Sequence, residues 1–351
     1  MVRVLATCQP GTGHLHPLAP VLRAFESAGH DVVVATAGGF TDEVRRLGFH
    51  HAAVGLDWRV DRLPEAFPGL NQFSNESERI RYLIERVFAG ACAEATAVQL
   101  KDIFSRWRPD LLIHEPSEFG GPLAAEAAGI PVITHGIGRP ANAFGAAELT
   151  AAALAPLRRR LGLPQRIPHP SVYLDPCPPS FHNSPLPNWL PVLPVRPEAI
   201  PGGVPSPWID ARSRPFIYLT MGTTIARERM LRSALAGLSG LGGTVVATLG
   251  SGVGVAALDE GRPNVRLADF VPDGVVLPQA DLVVCHGGWS STVAALAHGV
   301  PLVLLPVGSD QPWNAQHCRA LGVGRVLDLT ERNPDAIRDA AAAVLADPIY
   351  R

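Results

Sequence analysis

The residues His286-Gly287-Gly288-Trp289-Ser290-Ser291-Thr292 follow an apolar run, Asp281 to Cys285, and precede a helical pattern that runs through Ala297 and stops at Gly299. A strand ending in His-Gly-Gly that turns at once into a Ser/Thr-led helix gathers backbone N–H groups, two residues without side chains and a positive helix end at one spot. That is an anion cradle. His286 offers an imidazole to a diphosphate, while Ser290, Ser291 and Thr292 offer amides and hydroxyls. A plain helix N-cap is the blander reading of Ser291 taken alone. Beyond the buried strand Pro301 to Leu305 the chain reads Asp310-Gln311-Pro312-Trp313-Asn314. A polar Asp-Gln loop beside a diphosphate cradle suits a sugar diphosphate, with Asp310 and Gln311 on sugar hydroxyls and Asn314 bracing the site.

A second concentration of chemistry lies at the other end of the chain, in Gln9-Pro10-Gly11-Thr12-Gly13-His14-Leu15-His16-Pro17. Gly11-x-Gly13 after a strand could begin a dinucleotide fingerprint. The third glycine position holds His16, however, and the second strand ends Val34-Ala35-Thr36-Ala37 with no carboxylate for a ribose. Nicotinamide and flavin binding are therefore disfavoured. The segment His114-Glu115-Pro116-Ser117-Glu118 closes another apolar strand in the same half and supplies two carboxylates.

The elements that must position these residues alternate. Strands are expected at Val2 to Thr7, Asp31 to Ala35, His51 to Val54, Asp110 to His114 and Pro131 to Thr134. Between them fall a helix with Leu18, Val21, Leu22 and Phe25 on one face, a short helix from Thr41 to Leu47, a longer one from near Ser77 showing Ile80, Leu83, Ile84, Val87 and Phe88, and one from Pro122 to Ala128. The second half repeats the pattern, with strands Phe216 to Thr220, Thr244 to Leu249 and Val265 to Ala268, a helix near Arg227 to Leu238, and a last helix from Pro334 to Ala346. Near-continuous apolar strands alternating with helices imply α/β doubly wound parallel sheets covered on both faces. Residues 164–207 hold 14 of the 34 prolines, which predicts an irregular connector. The expected division is a first domain over 1–200, including that connector, and a second over 208–351.

At 351 residues and 47% hydrophobic content the chain can form two such domains. A formal net charge of −2 with no basic block argues against nucleic acid as a partner. No apolar run approaches the roughly 20 residues needed to cross a bilayer, and the N-terminal apolar stretch is too short for a signal peptide. A cytoplasmic location is expected. Cys8, Cys92, Cys177, Cys285 and Cys318 are odd in number and far apart, without metal-ligand spacing, so reduced thiols are expected. No metal site emerges: His50-His51 diverge on a strand, and no Asp-x-Asp motif ends one.

The order cradle, strand, Asp-Gln segment, together with Gly13-His14-x-x-Pro17, resembles the nucleotide-sugar glycosyltransferases that modify small molecules, and among them the actinomycete enzymes that decorate polyketides and other antibiotics. That resemblance implies the GT-B architecture, two Rossmann-like domains facing across a cleft. It implies His14 as general base, because an alcohol is a poor nucleophile near neutral pH and a positioned imidazole can take its proton. An acid after the Asp110 to His114 strand orients that base in the family, usually Asp; Glu115 is the positional match and Glu118 the second choice. Gly13 lets the backbone pass close to the donor.

On the donor side the resemblance places Phe270 on a pyrimidine ring and the Val271 backbone at its edge, with Thr223 of Met221-Gly222-Thr223-Thr224 near phosphate. His286, Gly287, Gly288, Ser290 and Ser291 form the diphosphate site. Trp289-Ser290-Ser291 departs from the bacterial x-Gly-Thr but keeps the hydroxyls. The acceptor pocket is expected around Trp58, Phe67, Phe73, the Ile80 to Phe88 helix and Phe144. The implied reaction is inverting and metal-independent transfer from a dTDP- or UDP-sugar to a small, apolar acceptor, with no cofactor beyond that co-substrate. A homodimer is compatible with the sequence. Relatives usually carry a further helix returning to the first domain, beyond the point where these residues stop: either the sequence in hand is a shortened one, or the cleft lacks that strap and domain closure would then be less constrained. Two alternatives stay open: a nucleotide-sugar epimerase on the same fold, and a non-catalytic nucleotide-sugar-binding helper.

Overall fold

The structure is a computed structural model that describes residues 1–139, 147–166, 170–182, 186, 188, 190–198, 213–222, 228–250 and 253–350. Two sequence candidates, Phe144 and Thr223, lie outside the described residues. The chain divides into two compact units, Met1–Arg196 and Pro197–Arg351.

The first unit is built on a seven-stranded sheet: β1 Arg3–Thr7, β2 Asp31–Thr36, β3 His50–Ala53, β4 Leu111–His114, β5 Val132–His135, β6 Val172–Asp175 and β7 Val192–Pro194. The order is β3-β2-β1-β4-β5-β6-β7, and every pair is parallel. Strand order reverses between β1 and β4, where Val4 pairs with Leu111 and Thr7 with His114. In doubly wound sheets that switch point opens a crevice at the carboxyl ends of the strands. Leu5, Leu100, Leu112 and Leu123 are fully buried in the core against the sheet.

The second unit holds a six-stranded parallel sheet: β8 Phe216–Thr220, β9 Thr244–Thr248, β10 Val265–Ala268, β11 Leu282–Cys285, β12 Leu302–Leu304 and β13 Gly324–Val326. Its order is β10-β9-β8-β11-β12-β13, reversing between β8 and β11. The strands β8, β9, β11 and β12 are buried at every residue, as their unbroken apolar sequences require of strands covered on both faces.

Three expectations need correction. The proline-rich stretch is not purely a connector, because it supplies β6 and β7. Proline's missing N–H is tolerated there because Pro194 ends β7, the outermost strand of the sheet. The helix from near Ser77 is instead a compound one: Glu76–Tyr82, a π-helical stretch Leu83–Cys92, and Ala93–Trp107. Gly90 breaks it, at φ −93° and ψ −105°, and Ile80 is 45% exposed rather than packed with Val87. Finally, the Asp-Gln segment is a helix start, since Gln311–Ala320 is helical with Asp310 at its N-cap and Pro312 in its first turn.

Candidate active site

At the first switch point the loop after β1 folds into a short helix, Thr12–Leu15, which carries His14. The loop after β4 brings Glu115 to it, with His14 Nδ1 at 3.0 Å from Glu115 Oε1. The carboxylate is fully buried and held from every side. Gln9 N donates to Oε1 at 3.1 Å, while Ser117 N and Ser117 Oγ each donate to Oε2 at 2.7 Å. Burial alone would raise the Glu115 pKa. The His14 charge and the hydrogen bonds from His14 and Ser117 outweigh it and hold the group at about 2. An ionised carboxylate at Nδ1 fixes the imidazole with Nδ1 protonated and Nε2 open as a proton acceptor.

Glu118, the second-choice acid, is also buried but turned elsewhere. It accepts from Thr7 Oγ1 at 2.6 Å and from the amides of Gly120 and Gly121 at 2.7 to 3.1 Å. Burial pushes its pKa up to about 7 against those hydrogen bonds, and the Glu115 charge adds to the rise. His16 faces away from this group and pairs through Nε2 with Glu43 Oε1 at 2.5 Å. There burial opposes ionisation of Glu43, but its bonds from His16 and Arg46 hold its pKa at about 2. Sequence reasoning missed Ser117, whose hydroxyl also approaches His14 Nδ1 at 3.4 Å. Its place two residues after a strand-end acid was the available signal.

Among the protein's own atoms, the steric need for glycine in this loop falls at Gly11. A Cβ on Gly11 would come within 2.8 Å of Val60, whereas one on Gly13 would meet nothing within 4 Å. Trp58 is 6% exposed and packs in an aromatic cluster, with its ring 5.2 Å from Phe67 edge-on and 6.3 Å from Phe88. Phe67 and Phe73 are half-buried, and Phe73 lies against Tyr82 at 5.4 Å.

The second switch point gathers the donor candidates. The helix Trp289–Ala297 begins one residue earlier than its Ser/Thr pattern suggests, with Gly288 at the N-cap and no side chain capping the first turn. Ser290 and Ser291 stay half-buried in that turn, but Thr292 is fully buried, so its hydroxyl does not face the cradle. Gly287 takes φ +83°. The His286 ring is clamped between two glycines. A Cβ on Gly222, at the end of β8, would come 2.8 Å from its Nε2, and one on Gly288 would come 2.4 Å from the same atom. Burial lowers the His286 pKa to about 4, with the nearby Thr220 backbone opposing. The ring is therefore neutral near pH 7, and its hydrogen bond to a phosphate would be charged on the acceptor side only.

Asn314 ties the two donor segments together, since its Nδ2 donates to Gly287 O at 2.9 Å and to Asp310 Oδ2 at 2.8 Å. The Gln311 side-chain oxygen accepts from Val307 N at 2.8 Å and Gly308 N at 3.2 Å, bonds that do not involve its amide nitrogen. That oxygen shapes the loop leading to Asp310, where Ser309 sits in the left-handed region at φ 60°. A non-glycine residue held there stores backbone strain of the kind that clusters at ligand sites. Phe270 is 44% exposed, and Val271 beside it is buried.

Known proteins resemble this chain in sequence and fold. The erythromycin biosynthesis protein CIII-like N-terminal domain model matches residues 23–196, and the corresponding C-terminal domain model matches residues 232–351. The L-demethylnoviosyl transferase of Streptomyces niveus is 35% identical over 98% of this chain and 89% of its own length. The elloramycin glycosyltransferase ElmGT of Streptomyces olivaceus is 31% identical over 99% and 90%. Among solved structures, the spinosyn rhamnosyltransferase SpnG superposes with a TM-score of 0.82 at 26% identity, over 99% of this chain and 93% of that one. The Streptomyces glycosyltransferase SsfS6 complexed with thymidine diphosphate gives 0.80 at 25%, over 100% and 92%. All are sugar transferases, which removes the ground for the epimerase alternative.

Proposed function

The chain belongs to the erythromycin biosynthesis protein CIII-like family of glycosyltransferases, and we propose that it moves a deoxysugar from a dTDP-sugar to a hydroxyl of a small, apolar natural product, with inversion and without a metal. The observation that carries this reading is the 3.0 Å pair of His14 Nδ1 and buried Glu115. It leaves Nε2 to take the acceptor proton as the oxygen attacks the anomeric carbon. The sugar–phosphate bond breaks on the opposite face, and the electron pair leaves with the diphosphate. Negative charge then grows on the leaving oxygen, and the amides of the Ser290 and Ser291 turn, with neutral His286 as hydrogen-bond donor, supply its stabilisation.

The choice of thymidine over uridine rests on relatives that are named for TDP-sugars or were solved with thymidine diphosphate. An acceptor of polyketide size is supported by the SpnG structure complexed with spinosyn aglycone, and by the aromatic and aliphatic side chains around Phe67, Phe73 and Ile80. Asp310 is assigned to sugar hydroxyls and Phe270 to the base.

The test is direct. The purified protein is incubated with a panel of dTDP- and UDP-sugars and aromatic or macrolide polyketide aglycones, and products are read by mass spectrometry and by the anomeric coupling constant. An α-linked donor should give a β-linked product. Retention, or isomerised donor without acceptor product, would overturn the reading.

A further inference from the structure

The carboxyl end of β6 runs into Asp175-Pro176-Cys177-Pro178-Pro179-Ser180-Phe181-His182, which takes no part in the chemistry assigned above. The turn folds three ligand types onto one point: an oxygen of Asp175, the sulfur of Cys177 and a ring nitrogen of His182 lie within 4.8 Å of one another. Asp175 and Cys177 are each only 4% exposed, and His182 is half-buried. The backbone that carries them is stiff. Pro176, Pro178 and Pro179 fix φ, the 3₁₀ turn Pro179–Phe181 follows, and the Phe181 ring anchors it at 2% exposure. The Asp175 carboxylate is already oriented, because Cys177 N donates to Oδ1 at 3.0 Å and leaves Oδ2 facing His182 Nε2, also at 3.0 Å.

The geometry points to a binding site for one divalent cation of the zinc class, held by Cys177 Sγ, His182 Nε2 and Asp175 Oδ2, with water as fourth ligand. Thiolate and imidazole select zinc-like ions over Mg²⁺ and Ca²⁺, which take oxygen ligands. Bonds of about 2.0 to 2.3 Å place tetrahedral ligand atoms roughly 3.3 to 3.7 Å apart. The Asp175–His182 separation lies within a few tenths of an ångström of that edge, and the sulfur, within 4.8 Å of both, need close by no more than about an ångström. The bond that Cys177 N donates to Asp175 Oδ1 supplies the outer-shell support that ligating carboxylates use.

On binding, the thiol proton leaves to solvent and the imidazole proton moves from Nε2 to Nδ1, so one proton is released per metal. The contact of His182 Nε2 with Cys177 O at 3.2 Å is given up. Arg139 is close enough to bear on the Cys177 charge. Its single positive charge opposes a cation, and the thiolate and carboxylate together outweigh it. The bound ion would clip the turn at His182 to the carboxyl end of β6, independently of glycosyl transfer.

The test uses the full chain, stripped with a chelator, dialysed and titrated with Zn²⁺ against a chromophoric chelator, and separately with Co²⁺. One metal per chain, a thiolate-to-Co²⁺ charge-transfer band, release of one proton and a higher melting temperature are expected. Cys177→Ser and Asp175→Asn should each weaken Zn²⁺ binding at least tenfold, and Cys177→Ser should abolish the band, while Cys318→Ser keeps both. Asp175→Asn retains the bond from Cys177 N and so guards against loss of fold in the other variant. Absence of binding at micromolar Zn²⁺, or an unchanged band in Cys177→Ser, would overturn the assignment.

Discussion

Replacing Glu115 by Gln keeps the size of the side chain and removes its charge, and the donors around it decide the outcome. Oε1 receives Gln9 N and His14 Nδ1, and Oε2 receives Ser117 N and Oγ. If the new amide NH₂ takes the Oε1 side, it confronts the Gln9 N–H and donates to His14 Nδ1. The imidazole proton then moves to Nε2, where a base needs a lone pair. If the NH₂ takes the Oε2 side, the tautomer survives, but it confronts the Ser117 N–H and the loop loses its anchor. Either way a buried donor loses its acceptor, at a cost of about 1–3 kcal/mol.

The charge itself also matters. A pKa held at about 2 against an ordinary 4.5 corresponds to stabilisation on the order of 3 kcal/mol. Because the folded value is depressed, this stability is present above pH 4.5 and is lost as pH falls toward 2. The Gln variant should therefore melt several degrees lower at pH 7, with the gap to wild type closing in acid. Turnover of a dTDP-sugar, followed by chromatography, should fall about 10²- to 10³-fold, short of complete loss of a general base, while dTDP binding in the other unit stays unchanged. Wild-type turnover by Glu115→Gln at neutral and mildly alkaline pH, in a variant whose melting temperature has dropped, would refute the orienting role.

Three further outcomes are expected. His14→Ala should lose about 10²- to 10⁴-fold in transfer to an oxygen acceptor with dTDP affinity retained, as read by steady-state rates and calorimetry. His286→Ala should weaken dTDP binding by about 1–3 kcal/mol, and thermal shift should show stabilisation by dTDP and not by ADP; equal shifts would remove the pyrimidine assignment. Transfer should persist in EDTA, chelation at the Asp175 cluster lowering only the melting temperature; a rate restored by Mg²⁺ or Mn²⁺ alone would reveal a catalytic metal.

Periodicity was enough to read the paired parallel sheets, because β8, β9, β11 and β12 are apolar at nearly every position and only burial on both faces explains that. The His14–Glu115 pair was legible only through a strand-end motif, since its members lie far apart in sequence and nothing local forces them together. The motif shows the type of Gln311 and not its direction, so the bonds its oxygen accepts from the Val307 and Gly308 amides could not be read from it. The helix at Gln311 had a visible signal in Asp310 followed by Pro312, which the polar composition of the segment outweighed. Strands β6 and β7 were hidden because proline density argues against strands in general, whereas an outermost strand that ends in proline loses little.

In the proposed reaction the two switch points solve different problems with the same side chain. His14 needs a basic Nε2, so the fold spends a fully buried carboxylate on its other nitrogen and surrounds that carboxylate with donors that keep it ionised. His286 needs to meet a phosphate without drawing a proton from solvent beforehand, so the fold gives it no acid, buries it, and shapes the space with Gly222 and Gly288. Exchanging these surroundings would exchange the chemistry. A carboxylate beside His286 would repel the diphosphate, and a buried, unpaired His14 would be too weak a base to activate an alcohol near neutral pH. On the proposed reading, the position of each acid, more than the presence of each histidine, separates the proton-accepting site from the anion-binding one.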